Sequence, residues 1–468
     1  MTTEHIPNRA CDEFNRAHLL RQAAAQAGKG LPHIEPGQPV PAGTGLSRRS
    51  FLIKSGAFML TVYGAMHLDP MRMSESIAAA AAGPPDPILI SVFLDGGMDS
   101  LSLLAPVEDP TYRRLRPTLA LPADSGTVFG DDNRLRWNPA AASLRILHEE
   151  GKLAVAPSIG YADADQSHFT SRHYWEVGDT STRLQTGWLG RYLDLTGAPD
   201  NPLQGLSIDY SLAPSLAPAN VPVAALANPR SYRFTHRNVW GEVEESMVEA
   251  LERMGTANLR SRDKGVKIAA DASAQSMKLR RQLLPFATNE ENAPPGIASP
   301  VPYPENSNFG EQLQFIGAML SLGLPLRCVA VRGAGGYDTH DDQATGFNDD
   351  IKMVADCLLS FQRDLEARGF ANRVLVEVWS EFGRRPEENG SAGTDHGAAG
   401  MAMLIGTRVQ RQLLGEFTGL DVLDEDDNMR PSLDYRALHG AILDQWFGFD
   451  AARVLPNVRN FAIPTILN

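Results

Sequence analysis

The sequence predicts an α/β fold, a three-layer α/β/α sandwich around a mostly parallel sheet. Three observations carry this. The run Ile88-Leu89-Ile90-Ser91-Val92-Phe93-Leu94 shows no sustained polar alternation, as expected of a strand covered on both faces. Similar runs recur at Leu153 to Pro157, Arg327 to Arg332, Arg373 to Trp379 and Met401 to Ile405, with helical patterns between several of them. Several of these strands run into a glycine and an acid, the punctuation of a strand that stops at a functional edge.

Ahead of the first strand, residues 1–82 read as a leader. Residues 1–46 are polar and broken by Gly and Pro; then follow Ser47-Arg48-Arg49-Ser50-Phe51-Leu52, Lys54 and the apolar run Gly56 to Met66. That order is a twin-arginine export signal. The apolar run has 11 residues, short of the roughly 18 that span a bilayer, so it is a signal segment and the mature chain has no membrane span. Ala78 to Ala82 supplies the cleavage site, and residues 83–468 form the remaining domain. The expected destination is the periplasm or cell envelope, with the twin-arginine export machinery as a partner.

Charge excludes a class. The chain of 468 residues has formal charge −13, and without the leader 35 basic side chains face 50 acidic ones, so it is no nucleic-acid binder. The mature cysteines, Cys328 in an apolar strand and Cys357 in a helical pattern, read as two buried free thiols.

Helices follow from local signals. Asn138 caps Pro139 to Glu150, and Gly151 closes it. Ile268 to Leu284, rich in Ala, Lys, Arg and Leu, predicts a long surface helix, followed by a proline-rich exposed loop from Asn289 to Asn308. Residues 230–325 thus suggest a helical insertion beside the sheet.

Chemistry is expected outside the carboxyl ends of the strands. Asp95 and Asp99 follow the first strand, Asp338 and His340 the Arg327 strand, and Glu381 the Arg373 strand; Asp395 and His396 precede Met401. Glycines beside these residues would let the backbone approach a ligand. A lone Asp there is more often a helix cap, but capping needs no histidine. Asp95, Asp99, Asp338, Glu381 and Asp395 crowded into one cleft would bring five negative charges, which two divalent cations would largely offset. The mixed donors suit zinc or manganese, and oxygen-rich subsets magnesium or calcium. Two such ions about 3.5–4 Å apart would clamp a phosphoryl or sulfuryl transfer.

The pieces Phe93-Leu94-Asp95-Gly96-Gly97-Met98-Asp99, Gln166-Ser167-His168-Phe169, Tyr337-Asp338-Thr339-His340, Ser380-Glu381-Phe382-Gly383-Arg384 and Gly393-Thr394-Asp395-His396-Gly397 resemble the bacterial family catalogued as domain of unknown function 1501. The resemblance runs from about Ile88 to Gly448. That family is similar in fold to the alkaline phosphatase and sulfatase superfamily, which implies an alkaline phosphatase-like sandwich with metals at the strand ends. By position, Asp95 matches that superfamily's first-strand aspartate and Asp338 with His340 its Asp/His pair. Glu381 stands where many relatives have Asp-His, His396 matches a late histidine, and Asp395 is a further ligand or the orienter of His396. Glu381-Phe382 in place of Asp-His removes an imidazole, which puts one of two metal positions in doubt.

The superfamily needs a nucleophile at a helix start, and Ser167 is the first candidate, with Thr170 and Ser171 as alternatives; the bland reading is that Ser167 only caps its helix. His168 is a candidate ligand or general acid, against a structural role. Arg384 is a candidate for holding a tetrahedral anion, against a solvated pair with Arg385. The expectation is an exported metal-dependent hydrolase acting on a small-molecule or glycan ester of phosphate or sulfate. The alternative is a non-catalytic envelope protein that uses the fold to bind an anionic glycan or a protein partner.

Overall fold

In the computed structural model the described residues are 61–63, 87–231, 241–287 and 295–468. Besides a small sheet of three two-residue strands, the described residues form strands β1 Thr61–Tyr63, β2 Ile88–Phe93, β3 Leu153–Gly160, β4 Gly205–Ser207, β5 Val223–Ala225, β6 Cys328–Arg332, β7 Val374–Trp379, β8 Gly383–Glu388, β9 Thr394–Gly397, β10 Gly400–Ile405 and β11 Leu433–Asp434. Nine form one sheet in the order β1-β5-β4-β6-β2-β7-β10-β3-β11. From β5 to β7 every neighbour is parallel, with Ile90 opposite Val329 on one side and Val376 on the other. Strand β10 runs antiparallel to both β7 and β3, which shows that the apolar run at Met401 marked burial but not direction.

Side chains of β2 divide between two cores because successive residues point to opposite faces. Ile88, Ile90 and Val92 pack with α1 (Ala142–Glu149), α6 (Asn308–Ser321) and α7 (Gln343–Arg368). Leu89 and Phe93 pack with α2 (His168–Val177), α3 (Trp188–Thr196) and α8 (Tyr435–Ala441). Helices on both faces of a mostly parallel sheet make the α/β/α sandwich that the sequence predicts.

Two further helices, α4 (Glu242–Asn258) and α5 (Lys264–Leu283), pack on each other through Val248, Leu251 and Met277. Helix α5 starts four residues before the predicted Ile268, because the Asp263 carboxylate accepts from the Val266 amide at 3.0 Å. Helix α6, also inside the stretch 230–325, belongs to a sandwich layer. Asn138 caps as expected, its side chain accepting from Ala140 N, but the first turn is a 3-10 turn, Pro139–Ala141, before α1 begins.

Of the predicted signal segment, Thr61–Tyr63 pairs antiparallel with β5, Val62 opposite Ala224. The arginine pair and the alanine run lie outside the described residues. No described helix is long and apolar enough to cross a membrane. Cys328 and Cys357 are both free and buried, and burial pushes the Cys328 thiol up to about 12.

Candidate metal centre

Strands β2, β6 and β7 are parallel neighbours, so their carboxyl ends share one edge of the sheet. Strand β3 runs the same way, and the antiparallel β10 begins where β7 ends. Five chain segments therefore meet there: 94–99, 166–168, 337–340, 380–384 and 394–397.

Glycine makes that meeting close. A Cβ on Gly96 (φ +117°) would lie 2.4 Å from the Asp338 backbone nitrogen, and one on Gly393 2.2 Å from the His340 carbonyl carbon. These glycines admit a neighbouring loop rather than a ligand, which corrects the expectation for them. Tyr337 N donates to Asp95 O at 2.9 Å and Thr394 N to Thr339 O at 3.0 Å, fixing Asp338 and His340 between their neighbours.

Three histidines surround Asp338. From its Oδ1, His340 Nε2 lies at 3.0 Å, His168 Nε2 at 3.4 Å and His396 Nε2 at 3.5 Å. His168, Asp338 and His396 each offer a ligand atom within 4.8 Å of the other two. His340 joins them, its Nε2 3.1 Å from His396 Nε2. Burial would raise the Asp338 pKa, but hydrogen bonds from His168, His340 and His396, made when their Nε2 atoms carry protons, hold it well below the usual carboxylate range.

Each ring is held by its other nitrogen. His168 Nδ1 pairs with Glu381 Oε1 at 2.7 Å, His340 Nδ1 with Asp395 Oδ1 at 3.1 Å, and His396 Nδ1 donates to the Gln166 carbonyl at 2.7 Å. Because a carbonyl can only accept, the His396 proton sits on Nδ1, and carboxylate partners favour the same tautomer in the other two rings. Three Nε2 atoms and a carboxylate oxygen then face one another; Arg384 reaches the same oxygen at 2.8 Å, and the crowded imidazole nitrogens call for shared protons or a further cation. The donors fit a divalent ion: imidazole nitrogens with one carboxylate, each imidazole oriented from behind, as in zinc-type sites.

Glu381 is thus an orienting group. It is fully buried, accepts from Gly96 N at 3.0 Å, and stays ionised because His168 outweighs the cost of burial. Asp395 likewise stands behind His340, which holds it down to about 2. Phe382 packs against the cluster, its ring 4.7 Å from both His168 and His396. His168 brings in an imidazole from α2 instead.

Three expectations are corrected by geometry. Asp95 stands outside the cluster: its Oδ2 meets Arg332 at 2.9 Å, while its buried Oδ1 has no hydrogen-bond partner among the described residues. Asp99 is neutralised by Arg116 at 2.5 Å and accepts from Gln343 at 2.6 Å, so it adds no charge for a metal to offset. Arg384 is 1% exposed and spends its guanidinium on the carbonyls of Gly96, Gly97, Tyr337 and Thr394 and on Asp338, which leaves it a brace between loops and not an anion clamp. Ser167 occupies the N-cap position of α2 without a side-chain capping bond. The sequence carries no signal for Arg332 or for the Gln166 carbonyl, whose roles depend on which loops meet.

The fold and this cluster define an α/β/α-sandwich protein with a three-histidine, one-aspartate centre at the edge of a mostly parallel sheet. Residues 163–461 match the family described as "Protein of unknown function (DUF1501)", and the chain belongs to that family. The match takes in His168, Asp338, His340, Glu381, Arg384, Asp395 and His396 and starts after Asp95. Among curated proteins none matches. Two solved structures are similar over most of their length: a protein in the alkaline phosphatase superfamily from Vibrio parahaemolyticus (8% identity, 83% of this chain and 76% of that one, TM-score 0.32), and the PsFucS1 sulfatase from Pseudoalteromonas sp. (12% identity, 82% and 72%, TM-score 0.31). Scores of that size carry no functional argument.

Proposed function

We propose that the protein is a metal-dependent hydrolase of phosphate or sulfate esters, acting in the periplasm or cell envelope. The observation that supports it best is the convergence of three Nε2 atoms on Asp338, each ring fixed through Nδ1. His168, His340, His396 and Asp338 would hold the ion, with zinc or manganese favoured by three imidazoles. When bound, the ion supplies Lewis acidity to the ester oxygen and activates a nucleophile.

The chain's own groups set the rest. Glu381, Asp395 and the Gln166 carbonyl hold the imidazoles in the tautomer that leaves Nε2 available. Arg384 donates to the same Asp338 oxygen that faces the histidines and so fixes its position. Ser167, at the helix start beside His168 and free of any capping bond, is the side chain offered for a covalent route, with water as the other nucleophile.

The test combines metal content with turnover. Purified protein should contain a divalent metal by emission spectroscopy and hydrolyse 4-nitrophenyl phosphate or sulfate; His396→Ala should lose both. Metal-free protein, or activity indifferent to His396→Ala, defeats the reading. Ser167→Ala separates the routes, since only the covalent one requires its hydroxyl. The commitment of Arg384 to loop carbonyls favours a second reading, a metal-holding envelope protein without catalysis; bound metal with no turnover over a panel of phosphate, sulfate and glycan esters would establish it.

A further inference from the structure

Helix α4 turns Val248, Leu251 and Gly255 toward α5, and so should present its remaining apolar residues to solvent only by chance. They are not scattered. Val243 (61% exposed), Met247 (41%), Ala250 and Met254 (65%) follow one another at steps of four, three and four residues. That spacing places them on one line along the helix, about a third of a turn from the face that packs on α5, and it is the spacing of a helix that seats against another helix.

We propose that this stripe is the contact through which two copies of the chain associate, the two α4 helices lying antiparallel about a two-fold axis. The sequence of the stripe chooses the partner and its direction. With the axis between Met247 and Ala250, Val243 faces Met254 of the second copy and Met247 faces Ala250, so that each layer sets a large side chain against a smaller one. One charge pair beside the stripe matches the same register: Glu242, exposed, comes beside Arg253 of the second copy, whose side chain is 76% exposed and, among the described residues, meets Glu249 at 3.9 Å. A two-fold axis makes each of these contacts twice, as an isologous interface requires. In the parallel arrangement the flank that carries Glu242 and Arg253 would instead meet the opposite flank of the second helix, the side packed on α5, and that pairing is lost. Antiparallel helices also bring opposite ends of their dipoles together.

The association is independent of the metal centre and is tested by mass. Full-length protein is followed by light scattering coupled to size exclusion over a concentration series. The expected result is a rise to twice the chain mass, absent at every concentration in Met247→Glu/Met254→Glu; both side chains are exposed, and circular dichroism checks that the variant is folded. Glu242→Arg should weaken the dimer about tenfold, and adding Arg253→Glu should restore it. Wild-type protein that stays monomeric, an assembly larger than two, or a dimer indifferent to the Met substitutions overturns the proposal. Failure of Arg253→Glu to restore association overturns the antiparallel register.

Discussion

His168 shows how one residue joins two parts of the site. Its Nδ1 is bound to a buried carboxylate and its Nε2 faces Asp338, so Glu381 sets the tautomer that His168 presents. Glu381→Gln keeps the shape but changes the partner's charge and hydrogen-bonding pattern; metal affinity should fall about 10–100-fold by titration calorimetry, with the fold unchanged. Acidification should act in two stages. Imidazoles must be deprotonated to bind a metal, so affinity should fall as the solution is acidified. The hydrogen bond from His340 holds Asp395 down to about 2 against an ordinary 3.8, so its stabilising contribution is complete above pH 3.8 and lost as pH falls toward 2. Acid denaturation of Asp395→Asn followed by circular dichroism should lack that last component.

At the level of elements, the site depends on loops that touch backbone to backbone. Gly96 sits at φ +117° with no room for a Cβ against Asp338 N. Gly96→Ala should therefore destabilise the protein by more than about 1 kcal/mol in a denaturant titration and displace Asp338, losing the metal as well. A variant with unchanged midpoint and metal content would show that the loop has slack. The strand runs were legible because burial on both faces leaves an unbroken apolar signal, as at Ile88 to Phe93. The acids and histidines after them were legible as a set because strand ends converge. What the residues do there was not, since it rests on which loops fold onto one another: Asp99 looks like a ligand until Arg116 folds over it, and Arg384 looks free until four carbonyls surround it. Direction escaped too, because β10 is as apolar as its parallel neighbours.

For the molecule as a whole, the cluster draws residues from the start of α2, the segment after β6 and strand β9, so a bound ion would tie together segments that are distant in sequence. Such an ion binds the folded chain and not the unfolded one, and at a hundredfold excess over its dissociation constant adds about 2.7 kcal/mol of stability. Unfolding followed with zinc or manganese and then with a chelator should show midpoints that separate by that measure; coincident midpoints would mean that no ion binds. The two buried thiols bear on a different matter. Cys328 lies in a central strand and Cys357 in α7, each already enclosed by its core. The sandwich therefore closes without a covalent staple between its layers, and can be completed in a reducing compartment before any passage to an oxidising one. Its resistance to urea should be the same in dithiothreitol as in air.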